Sequence, residues 1–301
     1  MVTLLDLLPS LGTVLKYFFI LLLAVNIRSF PLMWHIRTLF ESNWLAHLRR
    51  FLSGNPQKFL EANSPIGVSP FSCLHVMQGL ATPDDCDMFG HMSNSSYAKT
   101  LDIMRMQFGA DFFLTWFSSY KGTCPMGAAD YSFIKEIPIM GRYEIRSTIG
   151  GWDHKWLCVV SYFVSYPKIR QSGSPEQVLT PPAPLPAALF PPNAILHTVC
   201  ISRMCFKQRR LTVPPAIAMS LSGMGGSESL GRVRWERVQL LNAEGRMKKM
   251  LRTGEWKDEL CRPGKEGGWG MDEMEEERKM GMEACGKTYA GMELLRPVVE
   301  V

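Results

Sequence analysis

The order of the periodic segments constrains the fold of this chain more than any other feature. From Ser95 to about Phe117, apolar side chains recur at steps of three and four, the spacing of a helix with one buried face. A strand pattern precedes this helix, from Phe71 to Leu80. Four more follow it, at Tyr131–Ile137, Glu144–Ile149, Trp156–Val164 and Ile195–Phe206. This order predicts an α+β fold in which an antiparallel sheet wraps around one long helix.

The segment Trp156–Val164, which reads WLCVVSYFV, is apolar almost throughout. Such a continuous run predicts a strand whose two faces are both covered. The neighbouring segment Glu144–Ile149 alternates instead, so that Ile145 and Ile149 share one face. The residues between these two strands, Gly150–Lys155, predict the turn that joins them.

Changes in composition divide the chain into five parts. Residues 1–30 form an apolar anchor, and residues 31–65 form a helical segment that either lies beside a membrane or packs on the main domain. The main domain covers residues 66–220 and contains a Pro-rich insertion at residues 165–193, predicted to be an exposed extended loop. Residues 221–260 have the composition of a helix. Residues 261–301 are rich in Gly, Met and Glu and predict a poorly ordered tail.

The apolar stretch Leu11–Ile27 is interrupted only by Lys16 and lies at the short end of the roughly 17–25 residues that cross a bilayer. No basic residue precedes it, and four arginines follow it by residue 50. The positive-inside rule therefore predicts a single-pass anchor with the main domain facing the cytosol, with the endoplasmic reticulum as one candidate membrane. An interfacial or buried helix and a cleaved signal peptide are the alternatives.

Composition also argues against several classes of protein. The net charge of +5 is small, and no dense Lys/Arg stripe alternates with aromatic residues, so nucleic acid is not an expected partner. The 8 cysteines are scattered and show neither C-x-x-C nor zinc-ligand spacing. Reduced and mostly buried thiols are expected, with no metal. Dinucleotide-binding and G-x-S-x-G strings are absent from the sequence, and no cofactor is expected.

The stretch from Asp85 to Tyr97, DCDMFGHMSNSSY, concentrates carboxylates, a glycine, an imidazole and an amide just before the long helix. A carboxylate at such a place can act as base or nucleophile on a carbonyl carbon. The free backbone N–H groups of the helix N-terminus can hold the oxyanion that develops. The pattern therefore indicates a carbonyl-directed active site.

This stretch resembles the active-site signature of hotdog-fold acyl-CoA thioesterases of the 4-hydroxybenzoyl-CoA thioesterase type, roughly D-x-D-x-x-G-H-x-N-N-x-x-Y. Six positions match, namely Asp85, Asp87, Gly90, His91, Asn94 and Tyr97, whereas Ser93 stands where the first Asn usually is. The segments GAADYSFIKEI, GRYEIRSTIGGWDHKW and CISRMCFKQRRLTVPP are similar to the thioesterase superfamily member 6-like branch and its fungal relatives. The resemblance covers about residues 71–215, with a gap at residues 166–193. It implies a hotdog fold, a homodimer whose sites draw on both subunits, and an acyl-CoA or carrier-bound thioester as substrate.

The resemblance places the catalytic carboxylate at Asp87, which would act as base or nucleophile; the alternative is an Asp that shapes a turn. His91 would polarise the carbonyl, orient Asp87 or contact coenzyme A, or else be structural. Asn94 would supply the oxyanion N–H, cap the helix, or do both. Gly90 would allow the backbone to approach the substrate closely, or serve as an ordinary turn glycine.

The remaining residues of interest have plainer expected roles. Asp85 is expected to shape the loop, and Tyr97 falls on the apolar stripe of the helix and is expected in the core. Lys207 and Arg209 could bind the phosphates of coenzyme A, or form a solvated basic turn.

Three functional hypotheses follow. The first is a membrane-anchored hotdog thioesterase with Asp87 as base or nucleophile and an oxyanion hole near Asn94. The second, which the Ser93 departure motivates, is a non-catalytic hotdog protein that binds acyl-CoA or lipid. The third, a hotdog dehydratase, ranks low because the motifs of that family differ from the string in this chain.

Overall fold

A computed structural model describes residues 11–40, 48–49, 52, 54–166, 179–256 and 269–294. The segments between these ranges, including residues 167–178 of the Pro-rich insertion, lie outside the described residues. The centre of the described chain is a five-stranded antiparallel sheet with the order β1-β3-β4-β5-β2. Its strands are β1 (His75–Leu80), β2 (Met126–Phe133), β3 (Arg142–Trp152), β4 (Leu157–Ser165) and β5 (Ile195–Met204). A hairpin of β6 (Phe206–Gln208) and β7 (Leu211–Val213) follows.

The long helix of the sequence pattern is present but shorter than the pattern suggested. It begins at Asn94 and ends at Phe112, and a second helix covers Leu114–Ser119. Three helices precede the sheet in the chain: α1 (Leu11–Val25), α2 (Met33–Thr38) and α3 (Pro56–Ala62). The long helix is therefore α4, and the second helix is α5. The break falls at Phe113, whose φ of −127° is not helical. The apolar periodicity continues across the break, which is why the pattern alone did not reveal it.

The α4 helix lies against one face of the sheet. Its stripe residues Leu101, Met104 and Phe108 are buried, and Tyr97 packs edge-on against Phe163 of the sheet with ring centroids 4.8 Å apart. A sheet wrapped around one buried helix is the hotdog arrangement that the resemblance implied, and the α+β class is confirmed. Tyr97, only 2% exposed, is a core residue as expected.

The opposite face of the sheet is also covered, as the continuous apolar run of β4 predicted. Part of the cover is the described end of the Pro-rich insertion, where Leu189 and Phe190 are buried against β4. Arg146 of β3 donates hydrogen bonds to the carbonyl oxygens of Leu189 and Ala188 at 2.9 and 2.8 Å. This end of the insertion is therefore docked rather than exposed, because it carries apolar side chains between its prolines.

The rest of the outer cover comes from the region expected to be a poorly ordered tail. Residues Glu275–Leu294 instead form a helix that contacts β3. Gly281 lies so close to Gly150 that a Cβ built on it would be 1.8 Å from the Gly150 carbonyl oxygen. Cys285 is buried in the same cluster as Cys158 of β4. The composition of this segment misled the sequence interpretation, because the glycine that suggested disorder permits this close packing.

The region predicted as one helix at residues 221–260 contains more than one element. Helix α6 (Pro215–Leu221) precedes it, and α7 (Glu228–Ala243) and α8 (Arg246–Thr253) follow, so the helix at Glu275–Leu294 is α9. Gly245, with φ of +68°, separates α7 from α8. Arg234 of α7 is buried and forms a bidentate pair with Glu273 at 2.6 and 2.9 Å, which ties α7 to the segment before α9.

The N-terminal segment contains an apolar helix, and part of the chain that follows it packs on the main domain. Every residue of α1 is at least partly exposed. Among the described residues, none of the helices has the length and apolar character to cross a membrane, so the predicted spanning anchor is not confirmed. Helix α2 contacts α4, which agrees with the packed alternative for this part of residues 31–65.

One buried histidine gives a prediction about pH. Burial lowers the pKa of His197 on β5, although hydrogen bonds to the Lys135 carbonyl and Ser165 hold its ring. Below about pH 6.5 the unfolded chain binds this proton more readily than the folded chain does. We therefore expect the free energy of unfolding to fall as pH drops below about 6.5 and through the lowered folded pKa. Urea unfolding at about pH 7.5 and pH 5.5 should show a smaller loss in His197→Gln. The exposed His154→Gln should behave like the parent, and an unchanged loss in both variants would contradict the prediction.

Candidate active site

The loop between the short 3₁₀ turn Pro83–Asp85 and α4 carries most of the residues predicted for catalysis. Its backbone is fixed by pairing with the segment before β3. The Met92 N–H donates to the Ile137 carbonyl and the Ile139 N–H donates to the Gly90 carbonyl, each at 2.8 Å. Within the loop, the Asp87 N–H donates to the His91 carbonyl at 2.9 Å. The loop is therefore a paired and shaped element that leads directly into the N-terminus of α4.

Asp87 is partly exposed on this loop. Its Oδ1 accepts the Phe89 N–H at 2.9 Å and lies 3.5 Å from His91 Nδ1. Among the described residues these are the contacts of its carboxylate, so Oδ2 is left for solvent or a ligand. The predicted turn-shaping role of Asp87 is thus present, and one oxygen is still available for chemistry.

The His91 imidazole lies between two carboxylates. Its Nδ1 faces Asp87, and its Nε2 is 3.7 Å from Oε1 of Glu136. Phe89 stacks on the ring with centroids 6.0 Å apart. The sequence interpretation did not include Glu136 as a site residue. A single carboxylate near the end of a strand pattern gives no local signal that it lies beside a histidine 45 residues earlier in the chain.

Gly90 adopts a φ of +80°, a left-handed conformation that favours glycine. A Cβ built on Gly90 would meet nothing within 4 Å. The glycine is therefore required by the backbone of the turn, and the space beside it is open to a ligand.

The helix N-terminus is built by a run of serines around Asn94. Asn94 is the first residue of α4 and is exposed, while Ser93 occupies the N-cap position without a capping side-chain hydrogen bond. The Ser93 hydroxyl is 3.1 Å from that of Ser95 and 3.0 Å from that of Ser96. Because no side chain caps the first turn, its backbone N–H groups are those that an oxyanion could use.

Asp85 has the loop-shaping role that was expected. Its side chain is only 4% exposed and accepts a hydrogen bond from the Thr82 hydroxyl at 2.7 Å. Arg28, which follows α1, lies 3.3 Å from Asp85 Oδ2 and also donates to the Leu80 carbonyl. Lys99 of α4 lies 3.9 Å from Oδ1. This buried carboxylate connects the N-terminal segment, the loop and the central helix.

Replacement of Arg28 should weaken the loop, because a buried carboxylate that loses a hydrogen-bonding partner costs about 1–3 kcal/mol. We expect Arg28→Gln to lower the free energy of unfolding by about that amount in urea titrations. Lys99→Gln, which removes a longer contact to the same carboxylate, should have the smaller effect. The reverse order of the two variants would show that Arg28 does not hold Asp85.

Cys86 stands between the two aspartates but is a poor candidate for a nucleophile. Burial raises the pKa of its thiol, and the carboxylates of Asp85 and Asp87 raise it further. The reactive thiolate is therefore disfavoured at neutral pH. Of the side chains in this loop, the carboxylate of Asp87 and the imidazole of His91 are the groups suited to act on a carbonyl.

Lys207 and Arg209 are not joined to this loop by any contact among the described residues. Lys207 lies in β6, and its Nζ donates to the Thr212 hydroxyl at 2.7 Å. Its backbone pairs with that of Thr123, which follows α5. Arg209 is exposed in the β6–β7 turn with φ of +56°. The two residues form a basic turn beyond the C-terminal end of α4. Within one chain this is the basic turn that was expected as the alternative to binding coenzyme A.

A cavity of about 680 Å³ lies along the second half of α4 and was not anticipated from the sequence. Its wall is mostly apolar and includes Phe108 and Phe117, with Trp34 of α2 at its border. Asp102 and Arg105 are its charged residues. The apolar stripe of α4 gave no signal of this cavity in the sequence, because residues of α4, β4 and β5 together form its walls.

Comparison with known proteins identifies the domain that holds the loop. Residues 81–218 match the family model described as the thioesterase-like superfamily. This part of the chain is similar to thioesterase-like superfamily domains. It starts just before the Asp85–Tyr97 stretch and ends in α6, so it contains the loop, α4 and four of the five strands of the central sheet.

Relatives of the thioesterase-like domain cover much of the chain. A protein of Purpureocillium lilacinum named thioesterase lcsJ is 26% identical, over 79% of this chain and 89% of its own length. A probable thioesterase of Saccharomyces cerevisiae is 24% identical, over 76% of this chain and 88% of its own length. The THEM6 protein of Drosophila melanogaster is 32% identical, over 29% of this chain and 46% of its own length.

Among solved structures, a gentisyl-coenzyme A thioesterase is similar at 13% identity with a TM-score of 0.34. The match covers 46% of this chain and 94% of that protein. A Staphylococcus aureus protein solved in complex with CoA is similar at 12% identity with a TM-score of 0.36, over 50% of this chain and 80% of its own.

Proposed function

We propose that this protein is a thioesterase that hydrolyses an acyl thioester of coenzyme A or of a carrier protein. One observation carries the proposal: in the part of the chain that matches the thioesterase-like superfamily model, Asp87 and His91 lie 3.5 Å apart on the loop that leads into the uncapped N-terminus of α4. A carboxylate, an imidazole and free backbone N–H groups are the groups needed to attack a carbonyl and to stabilise the charge that develops on its oxygen.

In the proposed reaction, the thioester carbonyl lies between Asp87 and the first turn of α4. The Asp87 carboxylate either takes a proton from a water that attacks the carbonyl carbon, or attacks that carbon itself to form an anhydride that water then opens. The backbone N–H of Asn94 holds the oxyanion. The C–S bond breaks, and the products are a carboxylic acid and a free thiol. His91 orients Asp87 through the contact at Nδ1.

The open space beside Gly90 supports a path for the substrate next to Asp87. Lys207 and Arg209 remain candidates for binding the phosphates of coenzyme A. Because they lie beyond the other end of α4, this role would require a partner subunit that brings its basic turn to the Asp87 loop.

A homodimer is part of the proposal. Within the described part of the chain, β2 is an edge of the sheet, and edge strands readily pair with a second chain. Apolar side chains near this edge are exposed, including Met126, Phe133 and Ile134. Sedimentation equilibrium of the full chain should give twice the monomer mass of 34.0 kDa, and a monomer at all concentrations would contradict it.

Membrane association through α1 is a further part of the proposal. Its exposed side chains are almost all apolar, including Phe18, Phe19 and Leu21, whereas Lys16 is its one charged residue. A helix that is apolar on all sides requires apolar surroundings. The arginines that follow α1 favour a cytosol-facing domain, with the endoplasmic reticulum as a candidate location. Flotation with phosphatidylcholine vesicles should carry the parent but not Leu21→Lys.

The alternative function is a protein that binds acyl-CoA or lipid without hydrolysis. Two observations favour it: Ser93 replaces an amide of the family signature, and Oδ1 of Asp87 already accepts the Phe89 N–H. This alternative predicts tight binding of acyl-CoA with no thiol released.

Release of thiol from short, medium, long and aromatic acyl-CoAs by the full chain tests the proposed activity. Release above the buffer rate for any member supports a thioesterase and ranks its substrates. Acyl-CoA binding by the folded chain, without release from any member and without release from a carrier-bound thioester, would overturn hydrolysis in favour of the binding protein.

A further inference from the structure

A buried arginine in the wall of the α4 cavity is not used by the proposed reaction. Arg105 is only 6% exposed and borders the cavity of about 680 Å³. A charged side chain in a mostly apolar cavity is costly unless it is paired and hydrogen-bonded. Arg105 therefore requires hydrogen-bonding partners from the protein. Any N–H donor that these partners do not use is available to a ligand in the cavity.

Arg105 is held by three protein partners. Its Nη1 donates to Asp102 at 2.9 Å, its Nε donates to the Ser202 hydroxyl at 3.1 Å, and its Nη2 donates to the Tyr131 hydroxyl at 3.3 Å. A guanidinium has five N–H donors. In addition to these three partners, Cys200 interacts with the guanidinium through a side-chain hydrogen bond. Four contacts leave at least one of the five donors unused among the described residues, on a group that is already oriented.

The charge of Arg105 is balanced by Asp102, so the pair is neutral overall. An anionic group placed beside it would also face the Asp102 carboxylate and would lose its water in an apolar cavity. A neutral oxygen loses less on leaving water and can accept an unused N–H group. The pair thus favours a hydroxyl or oxo group over a carboxylate.

The position of Arg105 limits the length of the ligand. Arg105 follows Asn94 by eleven residues of one helix, which corresponds to about 17 Å along the axis. A chain attached at the Asp87 loop would need to be long for an oxygen near its far end to meet Arg105. The apolar part of the wall lies beyond Arg105 along α4, towards Phe113 and Phe117, and suits the hydrocarbon end of such a chain past its oxygen.

We infer that the α4 cavity binds the long acyl chain of an oxygenated thioester, and that Arg105 selects for a hydroxyl or oxo group near the end of that chain. The inference rests on the proposed function, because it deepens the choice of substrate. It adds a specificity residue that does not take part in bond cleavage.

Binding of non-hydrolysable thioethers separates this inference from catalysis. Titration calorimetry on the full chain would compare hexadecyl-CoA thioether with its terminal-hydroxy and terminal-carboxy analogues. The hydroxy analogue should bind about ten-fold more tightly than the plain one, since a hydrogen bond to a charged group gains at least that much. In a purely apolar cavity the hydroxyl would weaken binding instead.

Arg105→Met should remove this preference while the plain thioether still binds. Arg142→Met, which replaces an exposed arginine outside the cavity, should keep the preference. If Arg105→Met does not fold, Met106→Trp provides the second test, because it narrows the cavity at a partly exposed residue without touching the ion pair. We expect this variant to lose affinity for both the plain and the hydroxy thioether.

For the parent, the inference would be overturned by equal or weaker binding of the hydroxy analogue, by tightest binding of the carboxy analogue, or by no binding of any thioether. It would also be overturned if Arg105→Met kept the preference for the hydroxy analogue, or if Met106→Trp kept the full affinity of the parent. If the hydroxy preference holds but no thioester is hydrolysed, the inference about the cavity stands and the proposed hydrolysis fails.

Discussion

An Asp87→Asn variant is expected to release thiol from the best acyl-CoA about 10²–10⁴-fold more slowly than the parent, the usual range for removal of a base. The asparagine retains an oxygen that can accept the Phe89 N–H, so the turn should keep its shape. What it loses is the charge needed to take a proton or attack the carbonyl carbon. Initial rates of thiol release over a range of substrate concentrations would measure kcat and KM separately. The loss should fall on kcat.

Asp84→Asn is the matched control for this experiment. Asp84 lies three residues earlier and accepts hydrogen bonds from Thr82 and Ser29, without contact to His91. We expect it to keep the kcat of the parent within a few-fold. Thermal unfolding of all three proteins would confirm that they are equally folded. Undiminished turnover by Asp87→Asn would exclude Asp87 as base and nucleophile.

Gly281→Ala should destabilise the protein by about 1–3 kcal/mol or more, because the added methyl group meets backbone that cannot move aside. A Cβ at this position would lie 1.8 Å from the Gly150 carbonyl oxygen and 3.0 Å from the Gly150 carbonyl carbon. Helix α9 would have to move away from β3, although alanine is the better helix former. Chemical unfolding would measure the change. A thiol reagent should also react faster with Cys285, which lies on the buried face of α9 in the parent.

Gly286→Ala on the same helix is the matched control, with an effect of opposite sign. A Cβ at Gly286 would meet nothing within 4 Å, so the substitution should stabilise the helix by up to about 1 kcal/mol through propensity alone. If both substitutions stabilise the protein equally, α9 does not pack on β3 in the way described.

The sequence determined the centre of the fold because its patterns there are local. The stripe of α4 and the apolar run of β4 each match one element, since side-chain periodicity follows directly from backbone geometry. The loop from Asp85 to Asn94 was also readable, because its residues are adjacent in the chain and resemble one family signature. The loop-shaping role of Asp85 could be predicted from the D-x-D pair alone. Its partner Arg28 lies 57 residues away, and nothing in the sequence around Arg28 indicated this contact.

The outer cover of the sheet shows the opposite case. The apolar run of β4 predicted that both faces of the strand are covered. Composition nevertheless indicated a loop at residues 179–193 and a disordered tail at α9, the two segments that supply the outer cover. Proline and glycine usually mark irregular chain, and only the docked structure shows Gly281 used for a close approach to Gly150.

The sequence by itself determined which residues face the core, where the candidate catalytic loop lies and which family it resembles, because these depend on neighbours in the chain. The tertiary structure decided which carboxylate stands on the far side of His91, which end of α4 has a cavity and how Arg105 is held in its wall. These features join residues from separate elements, and long-range packing sets their distances. A sequence pattern records the period of a side chain but not the partner that meets it.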